Sequence, residues 1–133
     1  MYFLLIRKLL VCFFASCLLL EANGQGGNVP AAFPGGDTAW NQYLDTSFNR
    51  QTIISNATKK DIEKFGRTQE VSYGFGIMTD GRIDLISIQG QVSQTIRNEI
   101  QRVLKNSPRW KPATVDGKPV VYRMKQVSVF RLE

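Results

Sequence analysis

The sequence predicts an α+β fold, a two-layer sandwich in which helices pack on a small antiparallel sheet. Apolar residues first recur at helical spacing, as in Trp40 and Leu44, and then alternate strictly along residues 71–77. Asp80-Gly81 follows the alternating run, and this dipeptide is typical of the tight turn of a hairpin. Helix and strand patterns are therefore mixed along a chain of 133 residues, which has room for one small core.

The amino-terminal segment has the composition of a secretory signal peptide. Two basic residues precede an apolar run over residues 9–20, and the small residues Ala22 and Gly24 follow at the spacing that a signal peptidase accepts. We therefore predict a signal peptide over residues 1–24 and an exported, periplasmic mature protein.

Two alternatives for this segment remain open. One is an uncleaved membrane anchor, although residues 9–20 would rise only about 18 Å as a helix, against a hydrocarbon core of roughly 30 Å. The other is lipidation at Cys17, because Ala15 and Ser16 are small residues of the kind that precede a lipidated cysteine. Both cysteines of the chain, Cys12 and Cys17, lie in this segment, so the predicted mature domain has no disulfide.

The first helix is predicted to follow a short linker. Residues 25–36 are rich in Gly, Pro, Ala and Asn, which favours a flexible lead-in to a domain over residues 37–133. Asp37 is a suitable N-cap, and the apolar spacing predicts an amphipathic helix over residues 38–48.

A second, short helix is predicted between Thr58 and Gly66. Thr58 and Asp61 have the spacing of a capping box, and Gly66 suits the position after a helix end. Alternation then predicts a strand over residues 71–77, and a returning strand over residues 82–88 follows the turn.

The last third of the chain predicts a helix and a long strand. Ser93 can cap the helix, and Ser107-Pro108 ends it. The strand is predicted over residues 120–132, where apolar and basic side chains alternate. Val127 and Val129 fall on the basic side of this alternation, which predicts either a bulge or a second, partly covered face. The apolar residues on one face of the helix are Ile96, Ile100, Val103 and Leu104.

The residue types exclude most catalytic and metal-binding chemistry. The chain has no His, and its two cysteines lie in the predicted signal peptide, so the usual nucleophile and base pairs and the usual soft metal ligands are missing. The acidic residues lie in predicted turns, caps and exposed helix faces, where we expect them to be solvated. We predict no enzyme activity, no cofactor, no metal site and no small-molecule substrate.

The basic character of the chain does not predict a nucleic-acid partner. The formal net charge is +6, but the basic residues are spread over every segment, whereas nucleic-acid sites cluster them on one face. Gly74-Phe75-Gly76 lies in mid-strand and lacks the strand-to-helix context of a phosphate loop. We expect these glycines to mark the close approach of another backbone.

The most specific motif is a Trp-x-Pro corner between the last helix and the last strand. A strand that ends in Phe-x-Leu follows this corner, and a hairpin turn and a Phe-Pro-Gly-Gly segment precede it. The residues that carry these motifs are Phe33-Pro34-Gly35-Gly36, Trp40, Asp80-Gly81-Arg82-Ile83, Ser107-Pro108-Arg109-Trp110-Lys111-Pro112, Asp116-Gly117-Lys118-Pro119-Val120 and Val129-Phe130-Arg131-Leu132.

With these motifs, residues 33–132 resemble the TonB carboxy-terminal domain family, which occurs in energy transducers. The resemblance implies a connection with TonB-dependent transmembrane transport. In that function the last strand would pair with an extended peptide, such as the TonB box of an outer-membrane receptor, by β-augmentation. The partner-binding residues that the resemblance implies are Val120, Val121, Tyr122, Arg123, Met124, Lys125, Gln126 and Val127. They belong to a predicted binding segment over residues 120–129, which we expect Tyr122 and Met124 to anchor to the core.

Two departures from the family pattern bear on this function. Family members that transmit force carry an uncleaved membrane helix and a long Pro-rich spacer. Here the sequence predicts a cleaved signal peptide and a short lead-in instead. We therefore expect a stand-alone exported domain rather than a complete energy transducer. The Tyr-Pro pair that usually follows the first helix is also missing between residues 47 and 56.

A second function class is a structural or assembly domain of the cell envelope without a transport role. Such a domain would pair with itself as a homodimer or with another envelope protein. Arg123 and Lys125 would then protect the edge of the sheet from aggregation. In both functions, we expect Trp110 to pack the last helix against the sheet.

Overall fold

A computed structural model describes residues 27–133 of the chain. The predicted signal peptide and its alternatives lie outside these residues. The described elements, in chain order, are β1 (Asn28–Val29), α1 (Gly36–Ser47), α2 (Arg50–Asn56), α3 (Lys59–Phe65), β2 (Thr68–Ile77), β3 (Ile83–Gln89), α4 (Gln94–Lys105), β4 (Ala113–Val115), β5 (Lys118–Val120) and β6 (Tyr122–Arg131).

The predicted mixture of helices and antiparallel sheet is confirmed, but the described chain forms two sheets. The larger sheet has the order β3-β2-β6, and β2 pairs antiparallel with both neighbours. The smaller sheet has the order β1-β4-β5. β4 and β5 form a hairpin around Asp116 and Gly117, whose φ angles of 50° and 78° suit a tight turn.

The core lies between the helices and one face of the larger sheet. Alternate residues of β2 supply that face, and the predicted apolar stripe of α4 packs into the same cluster. Ser93 caps α4, as predicted, by accepting a hydrogen bond from the Ile96 N–H at 3.4 Å. The core residues of β2 and α4 with at most 2% exposure are Val71, Tyr73, Phe75, Ile77, Ile96, Ile100, Val103 and Leu104.

Trp110 joins the Trp-x-Pro corner to this core. Its ring is 4% exposed and lies 4.9 Å from the Trp40 ring and 5.4 Å from the Phe33 ring, centroid to centroid. Its backbone N–H donates to the Gly81 carbonyl oxygen at 2.8 Å, so the corner also holds the β2–β3 turn. The prediction that Trp110 packs in the core is confirmed.

The start of the domain differs from the prediction. Helix α1 begins at Gly36, and Gly35 takes the N-cap position with φ 89°, while Asp37 lies in the first turn and is not the cap. An acidic side chain at that position still favours the helix, because it lies near the positive end of the helix dipole. Residues 28–33, predicted as lead-in, supply β1 and the buried Phe33 ring.

Helix α2 is not among the helices that the sequence predicts. The Asn49 side chain caps it by accepting a hydrogen bond from the Thr52 N–H at 3.0 Å, and Ile53 is the one residue of the helix that is buried. The helix is too short to show an apolar period, which is why the pattern did not reveal it. The predicted capping box of α3 is confirmed, because Thr58 and Asp61 exchange both hydrogen bonds.

The predicted last strand is divided in the structure. Val120 ends β5 and pairs with Ala113 in the smaller sheet, whereas β6 begins at Tyr122. A bulge in the last strand is not found, because the β2–β6 register is regular from Thr68–Arg131 to Ile77–Tyr122.

The irregularity falls instead on the other side of β2, between Gly74 and Gly76. There Leu85 has a φ of 53°, and a Cβ at Gly76 would lie 3.3 Å from the Leu85 Cδ1. A Cβ at Gly74 would lie 3.1 Å from the Ser87 Oγ. The expected close approach of a backbone is therefore wrong in detail, since side chains of β3 come nearest to both glycines.

Candidate partner-binding edge

Strand β6 has one free edge. Its inner edge pairs along its whole length with β2, and among residues 27–133 no strand pairs with its outer edge. An unpaired strand edge offers a row of backbone donors and acceptors to another chain. Alternate residues of β6 direct their backbone groups to this outer edge.

One hydrogen bond to the end of β2 shows which residues of β6 these are. The Leu132 N–H donates to the Arg67 carbonyl oxygen at 2.8 Å, and this pair continues the β2–β6 register. In an antiparallel pair, hydrogen-bonded residues alternate with residues whose backbone groups point away from the partner strand. The residues whose N–H and C=O groups point to the outer edge are therefore Arg123, Lys125, Val127, Val129 and Arg131.

The outer edge forms one wall of a groove of about 840 Å³. The opposite wall comes from α1 and α2, and it includes the buried Leu44 and Ile53 and the partly exposed Ile54. The groove follows the second half of β6, from Gln126 to Arg131. A strand added to this edge would thus lie between β6 and the two helices.

An ion pair between the buried Glu99 and the half-exposed Arg102 fixes the α1–α2 wall to α4. Glu99 is 7% exposed and accepts a hydrogen bond from the Asn49 N–H at 2.8 Å, while Arg102 Nε donates to its other oxygen at 3.0 Å. Arg102 also donates to the Ser47 carbonyl oxygen at 2.7 Å. The expectation that acidic residues lie on exposed faces is wrong for Glu99, because the turn after α1 folds over it.

This cluster also sets the protonation of Glu99. Hydrogen bonds from Arg102 lower the pKa of the Glu99 carboxyl below its ordinary value of 4.5; burial opposes this effect, and the Asn49 amide adds to it. Glu99 is therefore ionised near neutral pH, and it holds the turn between α1 and α2 as a charged acceptor.

The two faces of β6 differ in character. The even-numbered side chains turn toward the helices, where Phe130 is buried and Met124 packs against the core. The odd-numbered side chains lie on the opposite, open face of the sheet, where Val127 and Val129 are 54% and 53% exposed. Among the described residues, nothing covers these two valines. The predicted partial cover of this second face is therefore not found among the described residues.

The structure places the predicted binding residues in two strands and at the single residue between them. Val120 belongs to β5, Val121 lies between the strands, and residues 122–127 form the first half of β6. Of these, Gln126 and Val127 line the groove, and the Gln126 Nε2 donates to the outward Val127 carbonyl at 3.4 Å. Tyr122, expected to anchor the strand, is 36% exposed, whereas Met124 is packed as expected.

Ser128 and Val129 of the predicted segment line the groove, and so do Phe130 and Arg131, which lie beyond that segment. A signal for this end of the strand was present, because the two valines on the basic side of the last strand interrupt the alternation that a fully solvated face would show. The contribution of α1 and α2 had no such signal, since it depends on how those helices pack against the sheet.

The described residues also bear on metal binding and on membrane insertion. Within residues 27–133, His, Cys, Asp and Glu side chains form no group of three that could hold a metal ion. Over the same range, none of the helices has the length and apolar character needed to cross a membrane. No family model matches this sequence, and no curated protein matches it either.

Proposed function

We propose that this chain is an exported protein-binding module that captures an extended segment of a partner by adding it as a strand to the outer edge of β6. The partner would be an outer-membrane receptor peptide or another envelope protein, and the module would act in connection with TonB-dependent transport. The observation that carries the proposal is the outward direction of alternate backbone groups along an unpaired strand.

The surroundings of the edge support capture of a peptide. The groove beside β6 has a volume of about 840 Å³, and its helix wall includes the apolar side chains of Leu44, Ile53 and Ile54. Main-chain hydrogen bonds would provide affinity, and side chains on both faces of the added strand would provide specificity. The Trp-x-Pro corner and the strand pattern resemble the TonB carboxy-terminal domain family, which pairs with partners in this manner.

The second candidate is a structural or assembly domain that leaves this edge unpaired or pairs it with a second copy. The exposed Arg123 and Lys125 favour this function, because charged side chains on an edge strand hinder nonspecific pairing. The two functions differ in one measurable property, which is saturable binding of a foreign peptide to β6.

We test capture by titrating the full chain, labelled with ¹⁵N, with synthetic TonB-box peptides from receptors of the same organism. We expect saturable shifts of the β6 amides. The variant Lys125→Pro removes an outward N–H without removing a hydrogen bond to β2, and Pro is tolerated on edge strands, so binding should fall at least roughly tenfold while the fold persists.

The matched control is Lys125→Ala, which keeps the N–H and removes the charged side chain. A smaller loss in this variant than in Lys125→Pro identifies the backbone donor as the main contact. If no β6 amide shifts at millimolar peptide in the folded wild-type chain, the capture function is contradicted and the structural or assembly function is favoured.

A further inference from the structure

We infer that the outer edge of β6 selects partner segments by side-chain pattern, with apolar side chains facing the α1–α2 wall of the groove and carboxylates facing Arg123 and Lys125 on the open face. This inference rests on the proposed function and names the chemistry of the segment that the edge takes. It assigns the specificity to Ile54 of α2, which is not among the predicted binding residues, and to Arg123 and Lys125 on the open face.

The helix side of the groove is suited to apolar side chains. Leu44 and Ile53 are 5% and 3% exposed, and Ile54 beside them is 37% exposed, so it has apolar surface left to bury. The charged residues on the rim of the groove balance in sign. These rim residues are Asp45, Arg50, Arg131 and Glu133. This side therefore offers burial without a preference for either charge.

The open face is suited to acidic side chains at one end. Arg123 and Lys125 lie opposite Gly76 and Gly74 of β2, which carry no side chain that could neutralise them. Glu70, the acidic residue of β2 on this face, lies opposite Val129 and therefore near the other end of the strand. Asp84 of β3 lies across Gly76 from Arg123, but among residues 27–133 no salt bridge joins Arg123 or Lys125 to a carboxylate. A carboxylate of the partner placed beside Lys125 would therefore meet an unpaired cation.

The geometry of an added strand joins these two preferences. Successive side chains of a strand point to opposite faces, so residues opposite Gln126, Ser128 and Phe130 would face the helices. Residues opposite Arg123 and Lys125 would face the open side. A segment that fits this edge therefore has large apolar side chains at the three positions that face the helices. It has carboxylates at the two positions opposite Arg123 and Lys125, which face the open side.

The probe is a short synthetic peptide that alternates threonine and isoleucine and ends in Glu-Thr-Glu, together with the same sequence in reverse order. Whichever order binds more tightly is the reference peptide. Two further peptides carry Lys in place of Glu or Ser in place of Ile. Binding to the full chain is measured by calorimetry, and the contact is located by amide shifts in β6.

We expect the Lys peptide and the Ser peptide each to bind at least roughly fivefold more weakly than the reference peptide. Ile54→Ser should weaken the reference peptide by roughly fivefold, while Val115→Ser, an equally exposed aliphatic residue on β4, should leave it unchanged. Lys125→Glu should reverse the preference between the Glu and Lys peptides, and Lys118→Glu on β5 should not.

The outcomes separate this inference from the proposed function. Equal binding of all peptides at the β6 amides would overturn the side-chain pattern and leave strand capture standing. If no peptide, TonB-box peptides included, shifts these amides, strand capture itself fails. If the same amides shift with protein concentration in the absence of peptide, the occupant is a second copy of the chain, and the inference is overturned.

Discussion

At the residue scale, the contact between Gly81 and Trp110 joins the hairpin turn to the Trp-x-Pro corner. Gly81 has a φ of 85°, and a Cβ added to it would overlap the Trp110 carbonyl oxygen. The glycine is therefore needed both for its backbone conformation and for the space that it leaves.

We predict that Gly81→Ala lowers the free energy of unfolding by about 3 kcal/mol or more, because the strained φ and the overlap add together. Gly117→Ala is the matched control: Gly117 has a φ of 78° and nothing within 4 Å of an added Cβ, so its loss should be about 1 kcal/mol. Urea unfolding followed by tryptophan fluorescence measures both. Equal losses in the free energy of unfolding for the two variants would show that the Trp110 backbone moves away from the added methyl group, which would contradict the role of Gly81 in this contact.

At the scale of elements, Glu99 links three helices. It lies on α4, accepts from the backbone between α1 and α2, and pairs with Arg102, so it positions the helix wall of the groove. The pKa of its carboxyl is lower in the folded chain than the ordinary value of 4.5. A depressed folded-state pKa means that the ionised group contributes stability above about pH 4.5, and this contribution is lost as the pH falls through the folded-state pKa.

We predict that Glu99→Gln lowers the free energy of unfolding by about 1–2 kcal/mol at pH 7, because the amide loses the charge-assisted bonds to Arg102. The difference from the wild type should shrink as the pH is lowered below 4.5. Glu63→Gln, at an exposed position of α3, serves as the control and should change stability little at any pH. A Glu99→Gln difference that stays constant with pH would contradict the role of the ionised carboxylate.

The elements also show what the sequence could and could not predict. Long elements with a clear period, such as α4 and the β2–β3 hairpin, followed from local pattern, because their buried faces repeat along the chain. Helix α2 and the split between β5 and β6 depended on contacts with distant residues. Val120, for example, continues the alternation of the last strand but pairs with Ala113.

At the scale of the molecule, the sheet is covered by helices on one face and has a free edge beside them. The sequence predicted the strand that forms this edge, but not the groove, since its second wall is made by α1 and the unpredicted α2. Gln69 of β2 joins the sheet to the helix layer, because its buried amide donates to the Gly66 carbonyl oxygen after α3 and accepts from the N–H of Ser93, the N-cap of α4.

The most direct test of the central claim is amide hydrogen exchange along β6, with and without a saturating TonB-box peptide. In the free chain, we predict slow exchange at Met124, Gln126 and Ser128, whose N–H groups face β2, and fast exchange at Lys125 and Val127, which face outward. Added peptide should slow the outward amides at least roughly tenfold and leave the inward amides unchanged. Outward amides that remain fast while the peptide is bound elsewhere would contradict strand capture by this edge.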